Sequence, residues 1–194
     1  MAIIGIRHLV VAKINTETDG SAITYDAGMI MAEPIEANVT ISRSDNPLYA
    51  GDREVENENG ITGISTELNV DDLSDEVRAY MLGDVALSGE GNTGIYRETD
   101  DPAPYVGYGF IRVKKKAGVR KYIGVWNHKA QFSYNAEATR TKGENVERQT
   151  PTEVGRGQGV YQDNTGKIAW RDRKTFDNEA GAIAWLDGKA GITP

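Results

Sequence analysis

Two stretches of this sequence alternate with a period of two. Ile35, Ala37, Val39 and Ile41 are separated by Glu36, Asn38 and Thr40, and Ile64, Thr66, Leu68 and Val70 by Ser65, Glu67 and Asn69. Successive side chains of a strand point to opposite faces, so each stretch predicts a half-buried β-strand. The two strands are suited to pair with one another. The connection between them, from Arg43 to Gly60, is nevertheless far longer than a hairpin turn requires. Unstructured connections of that length in compact domains are usually functional or disordered, which makes this the most informative irregular segment.

Strand signals dominate elsewhere too. Ile3 to Ile14 is a long β-branched, apolar stretch ended by Asn15, Asp19 and Gly20. Tyr105 to Val113, a turn through Lys115-Lys116-Ala117-Gly118, and Val119 to Phe132 predict a long hairpin. Tyr108, Phe110, Tyr122 and Trp126 fall on one parity, and Ile111, Val113, Ile123 and Val125 on the other. Both faces are then apolar, as expected when each is covered. Further strands are predicted near Val146–Val154 and Lys167–Arg173. A short helix starts at Ser74, a good N-cap, with Asp75 and Glu76 favourable to its dipole, a buried stripe of Val77, Tyr80 and Met81, and Gly83 as stop. A final helix over about 177–188 is capped by Asp177, packed through Trp185 and Leu186, and stopped by Gly188. The class is mainly β (α+β): a β-sandwich or partly closed barrel with a flanking α-helix, in one domain spanning 1–194.

Composition narrows the chemistry. With 194 residues the chain buries a substantial core without staples, and with no Cys it has no disulfides, thiolate metal sites or thiol nucleophiles. Only two histidines, His8 and His128, argue against a histidine-rich metal site. No apolar run approaches a membrane span, and Ala2-Ile3-Ile4-Gly5-Ile6 is not a basic leader, so a soluble protein made in a reducing cytoplasm is expected. A net charge of -7 does not suit gripping nucleic acid through its phosphates.

Motifs that could carry catalysis have simpler readings. Gly89-Glu90-Gly91-Asn92-Thr93-Gly94 matches G-x-G-x-x-G, but Ile95-Tyr96-Arg97 after it reads as strand, and Glu90 would repel a phosphate. It reads as a glycine-rich turn. Asp71-Asp72 would point to opposite faces of a strand, and Asp75-Glu76 are explained as first-turn helix acids. His8 and His128 stand at no nucleophile spacing. The aromatics among the bases of Tyr105–Trp126 have the parity of core residues, with the lysines at a solvated tip. No catalytic, cofactor or metal residue is assigned, and the chain does not read as an enzyme.

Charge is unevenly spread. From Asp52 to Glu76 the acids include Asp52, Glu54, Glu56, Glu58, Asp71 and Asp72, with Arg53 the lone base; from Arg112 to Lys129 there are bases and no acid. Two readings fit: two solvated surfaces, or complementary faces of a protein that associates with its own copies.

Four segments, in order, carry a resemblance. They are Asn46-Pro47-Leu48-Tyr49-Ala50-Gly51-Asp52; Gly63 to Ser74 running on to Leu82-Gly83; Tyr105-Val106-Gly107-Tyr108-Gly109-Phe110-Ile111-Arg112; and Thr141 to Glu147 with Gln149-Thr150-Pro151. Together they resemble the major tail protein of long, non-contractile-tailed bacteriophages, the tail tube subunit. The family pattern has an acid at Gly51 and an aromatic at Arg148, where this chain departs from it. The resemblance implies hexameric rings stacked into a hollow tube in the virion tail. Double-stranded DNA passes through that tube without specific binding, along an acidic wall that does not hold phosphates. It implies tape-measure, tail-terminator and distal tail proteins as partners, and no membrane. A tube protein of a phage-derived injection apparatus is the alternative, and a small carboxylate-dependent enzyme a more distant one. In this frame the long connection is an arm reaching a neighbouring ring. Pro47, Leu48 and Tyr49 are its apolar anchor, and Asp52, Glu54 and Glu56 meet the basic turn of Lys114, Lys115 and Lys116 on the adjacent subunit.

Overall fold

The computed structural model describes residues 2–135, 150–161 and 166–193. In chain order the first strands are β1 (Ala2–Thr16), β2 (Thr24–Tyr25), β3 (Met29–Ala32), β4 (Pro34–Arg43), β5 (Asn46–Ala50), β6 (Arg53–Glu58) and β7 (Ile61–Val70). After α1 (Asp75–Leu82) come β8 (Val85–Ser88), a 3-10 turn (Gly91–Thr93) and β9 (Ile95–Arg97). Then follow β10 (Tyr105–Lys116), β11 (Val119–Ser133), β12 (Thr152–Gly157), β13 (Val160–Tyr161), β14 (Ile168–Ala169), β15 (Arg171–Phe176) and α2 (Glu179–Ala190). The protein is mainly β, as the alternation predicts.

Its centre is an antiparallel sheet in the order β2-β1-β10-β11-β12-β7-β4, with β3 also on β1 and β15 also on β11. β11 is long enough to change neighbours. Tyr122–Asn127 pair with β15, and Ala130–Ser133 pair with β12. The sheet forks there. It also curls, since β1 and β4 line a shared cavity of about 410 Å³ through Ile3, Ile6, Ala37 and Val39 although four strands separate them. No backbone ladder joins β1 to β4 among the described residues, so the sheet is open and a closed barrel is not seen.

Both faces are buried, for the reason the hairpin sequence supplies. The concave face carries Leu9, Val11, Leu68, Val106, Tyr108, Phe110, Val125 and Phe132, covered in part by Val77 and Met81 of α1. The other face carries Val10, Ala12, Ile111 and Trp126, covered by Ala182, Leu186 and Ala190 of α2. The parity grouping across the hairpin is corrected here. Phe110 pairs with Val125 and Gly109 with Trp126, so from Tyr108 to Lys116, beyond the register shift after Val106, even residues of β10 share a face with odd residues of β11. The two-residue turn sets this. Ala117 and Gly118 both take positive φ, 50° and 83°, so Lys116 faces Val119.

α1 follows its sequence signals. Ser74 accepts a bond from the Val77 amide, and Gly83 is a left-handed cap. α2 does not. Its N-cap is Asn178, which accepts from the Gly181 amide at 2.7 Å, and it runs through Gly188 to a left-handed cap at Gly191. The extra turn buries Ala190 against the sheet, which offsets the cost of an interior glycine. Of the strand expected near Val146–Val154, residues 146–149 lie outside the described residues, and the strand observed is β12. The Lys167–Arg173 expectation resolves into β14 and β15.

Candidate functional site

The Arg43–Gly60 connection is not an unstructured loop. Asn46 pairs with Glu58, Pro47 with Asn57, Leu48 with Glu56, Tyr49 with Glu54 and Ala50 with Arg53. The turn is Gly51-Asp52, both at positive φ. A donor–acceptor pair between the Ser44 amide and the Gly60 carbonyl, at 2.8 Å, closes the base, and Asn57 Nδ2 donates to Asp45 Oδ1 at 2.7 Å. The arm therefore continues the β4–β7 ladder beyond the sheet as a second hairpin. Val55 is a bulge residue, since Leu48 faces Glu56 while Tyr49 faces Glu54.

Among the described residues nothing covers the arm. Leu48, Tyr49 and Val55 are 58%, 65% and 55% exposed. Each is a large apolar side chain on a two-stranded ribbon, an element that is marginal by itself in water. Asp52, Glu54 and Glu56 are exposed as well. Lys115 and Lys116 are exposed at the end of the β10–β11 hairpin, with Lys114 half-buried, and among the described residues no ion pair joins these lysines to the arm. The structure thus separates the two predicted groups within one copy.

The register gives their relative placement. Ile41, Ile64, Gly157 and Ala130 stand at one level across β4, β7, β12 and β11. From that level the chain runs into the arm and into the basic turn in the same sense. Both tips lie beyond the same end of the sheet.

Two charged groups were not legible in the sequence. On the face under α2, Asp172 Oδ1 lies 3.2 Å from Nε2 of the buried His128, and Lys189 Nζ donates to Asp172 Oδ2 at 2.8 Å. Hydrogen bonding to His128 and Lys189 holds the Asp172 carboxyl well below the usual range, against its partial burial. Tyr25 Oη donates to the His128 carbonyl at 2.8 Å and accepts from Trp126 Nε1 at 3.3 Å, and burial pushes its phenol up to about 12. Further along, His8, at positive φ beside a β1 register shift, puts Nε2 2.7 Å from Asp187 Oδ1, and Arg7 bonds Glu179. These contacts tie α2 to the sheet.

The second group stands on the concave face. Arg112 of β10 and Arg171 and Arg173 of β15 point to the side of Tyr108 and Phe110, because Asp172 between the latter two points to α2. The glycine motif at Gly89–Gly94 sits between β8 and β9 with a 3-10 turn inside it, as its strand-like sequel predicts. No group of three or more His, Asp or Glu that could hold a metal occurs among the described residues. No described helix is long and apolar enough to cross a membrane.

No protein-family model matches the chain, and no curated protein matches it.

Proposed function

We propose that this chain is the structural subunit of the tail tube of a long, non-contractile-tailed bacteriophage. In that role hexameric rings of it stack into a hollow tube that conducts double-stranded DNA. The observation that carries the reading is the arm, a paired hairpin that leaves the sheet, packs on none of the other described residues and exposes Leu48, Tyr49 and Val55. A protein that stayed monomeric would gain nothing from such a display. The ordered resemblance of the Asn46–Asp52, Gly63–Gly83 and Tyr105–Arg112 segments supplies the kind of assembly. The mainly β fold with helices against both sheet faces is compatible with it. A net charge of -7 suits a conduit that DNA must leave without sticking.

Negative-stain electron microscopy of the purified protein, with sedimentation velocity on the same sample, tests this. Rings or tubes of uniform diameter are expected; a monomer at every concentration and ionic strength would remove the proposal.

A further inference from the structure

The β10, β11 and β15 ladders bring three arginines together. Tyr108, Asn127 and Arg171 share one level; Phe110, Val125 and Arg173 the next; Arg112, Ile123 and Thr175 the one after. All lie on the concave side, at the end of the sheet toward the arm. Among the described residues no carboxylate pairs with Arg112, Arg171 or Arg173. Arg112 and Arg171 are half-buried, and their guanidinium pKa values are lowered, first by desolvation and then by the neighbouring arginines. At the foot of the cluster Asn127 is buried with neither amide atom hydrogen-bonded. Arg173 is exposed, but the two half-buried like charges of Arg112 and Arg171, with an unsatisfied amide beside them, are costly unless an anion completes the site. Arg112 also lines the cavity of about 410 Å³ with the exposed Ile3, Ile4 and Ile35. Glu36, on the same rim, accepts a bond from Asn38 Nδ2 at 3.2 Å.

We infer that this arginine-lined mouth receives the acidic arm of a second copy of the chain, an inference that rests on the assembly reading above. The two surfaces match in kind. The arm's cross-strand pairs put an apolar side chain beside a carboxylate twice, Leu48 with Glu56 and Tyr49 with Glu54. The mouth puts Ile3, Ile4 and Ile35 beside the Arg112 guanidinium, with Arg171 and Arg173 two strands across on the same face. Arginine suits the task better than the lysines of the β10–β11 turn, because its planar fork takes a carboxylate through two bonds and is weakly hydrated, while exposed lysines stay solvated. A chain's own arm is held as an extension of β4 and β7 by the Ser44–Gly60 bond, so its acids are free for another copy. Arm and mouth lie at the same end of the sheet, which suits copies set side by side about a common axis.

The chain has no cysteine, so site-directed disulfides test this directly. Chains carrying Val55→Cys and chains carrying Thr175→Cys are mixed and mildly oxidised; both positions are exposed, and neither change removes a charge. A cross-linked heterodimer at least tenfold above the yield with Lys174→Cys, on the opposite sheet face, is expected. Arg171→Glu with Arg173→Glu in the Thr175→Cys chain should abolish the cross-link, and Glu54→Lys with Glu56→Lys in its partner should restore it. Tubes without the cross-link overturn the docking site and leave the tube reading standing. The cross-link without rings or tubes supports the docking site and overturns the tube reading. Absence of both overturns both.

Discussion

The carboxylate of Asp172 stands 3.2 Å from Nε2 of the buried His128, which ties β15 to β11 beneath α2, and its second oxygen takes Lys189 from the helix itself. Asp172→Asn keeps the size and removes the charge. It should destabilise the protein by about 1–2 kcal/mol at neutral pH, the range for charged hydrogen bonds reduced for partial exposure. The folded-state pKa is depressed, so this stabilisation is full above the ordinary carboxylate value and is lost as pH falls below it. Urea midpoints of the two proteins, apart at pH 7, should converge in acid; a constant gap down to pH 3 would assign the effect elsewhere.

Two glycines under or within α2 should respond in opposite directions. A Cβ on Gly109 would lie 2.7 Å from Leu186 Cδ2 and 2.8 Å from the Val125 carbonyl, so Gly109→Ala must move backbone or helix. A loss of about 1–3 kcal/mol is expected. A Cβ on Gly188 meets nothing within 4 Å inside a helix, and Gly188→Ala should add about 0.5–1 kcal/mol. Equal signs in chemical denaturation would contradict the packing described for α2.

The two helices mark where the sequence can and cannot be read. Helix α1 was legible because Ser74, Asp75 and Gly83 are local signals with one use each. Gly188 misled because a stop residue and a tolerated interior glycine look alike until Ala190 is seen against the sheet. The strands of β4 and β7 were legible from alternation, but the arm was not, since Pro47 and the acidic run of β6 lack that period. The face on which Trp126 lies depends on a two-residue turn, and one residue in the turn flips every side chain after it. The arginine mouth could not be foreseen. It joins Arg112 to residues about sixty positions later through β11, a pairing with no local trace.

The β10–β11 turn offers a gain. Ala117 takes a φ of 50°, a left-handed conformation that costs a β-carbon roughly 1–2 kcal/mol. Asn tolerates that region and Asn-Gly is the preferred pair for such a turn. Ala117→Asn should therefore raise stability by up to about 1 kcal/mol, read as a higher thermal midpoint. No change or a loss would mean the turn adopts another type in solution.

If the chain assembles as proposed, removing the arm should abolish assembly. The arm packs on none of the other described residues, and its base is closed by Ser44 and Gly60 outside the segment to be removed. Replacing residues 45–59 by a short Gly/Ser linker should thus leave the sheet intact, with a thermal midpoint within about 2 °C of the parent, as for changes to solvated surface. The same change deletes Leu48, Tyr49 and Val55 together with Asp52, Glu54 and Glu56. Exposed charge pairs are worth only about 0.2–1 kcal/mol each, so the apolar side chains should supply most of the affinity and the acids its register. Tyr49→Ala with Leu48→Ala should accordingly reduce self-association more than Glu54→Gln with Glu56→Gln, and the second pair should lose its effect in high salt, where surface charges are screened. Sedimentation velocity at low and high ionic strength separates these terms. A folded linker variant that still forms rings or tubes like the parent would show that contacts elsewhere on the sheet hold the copies together.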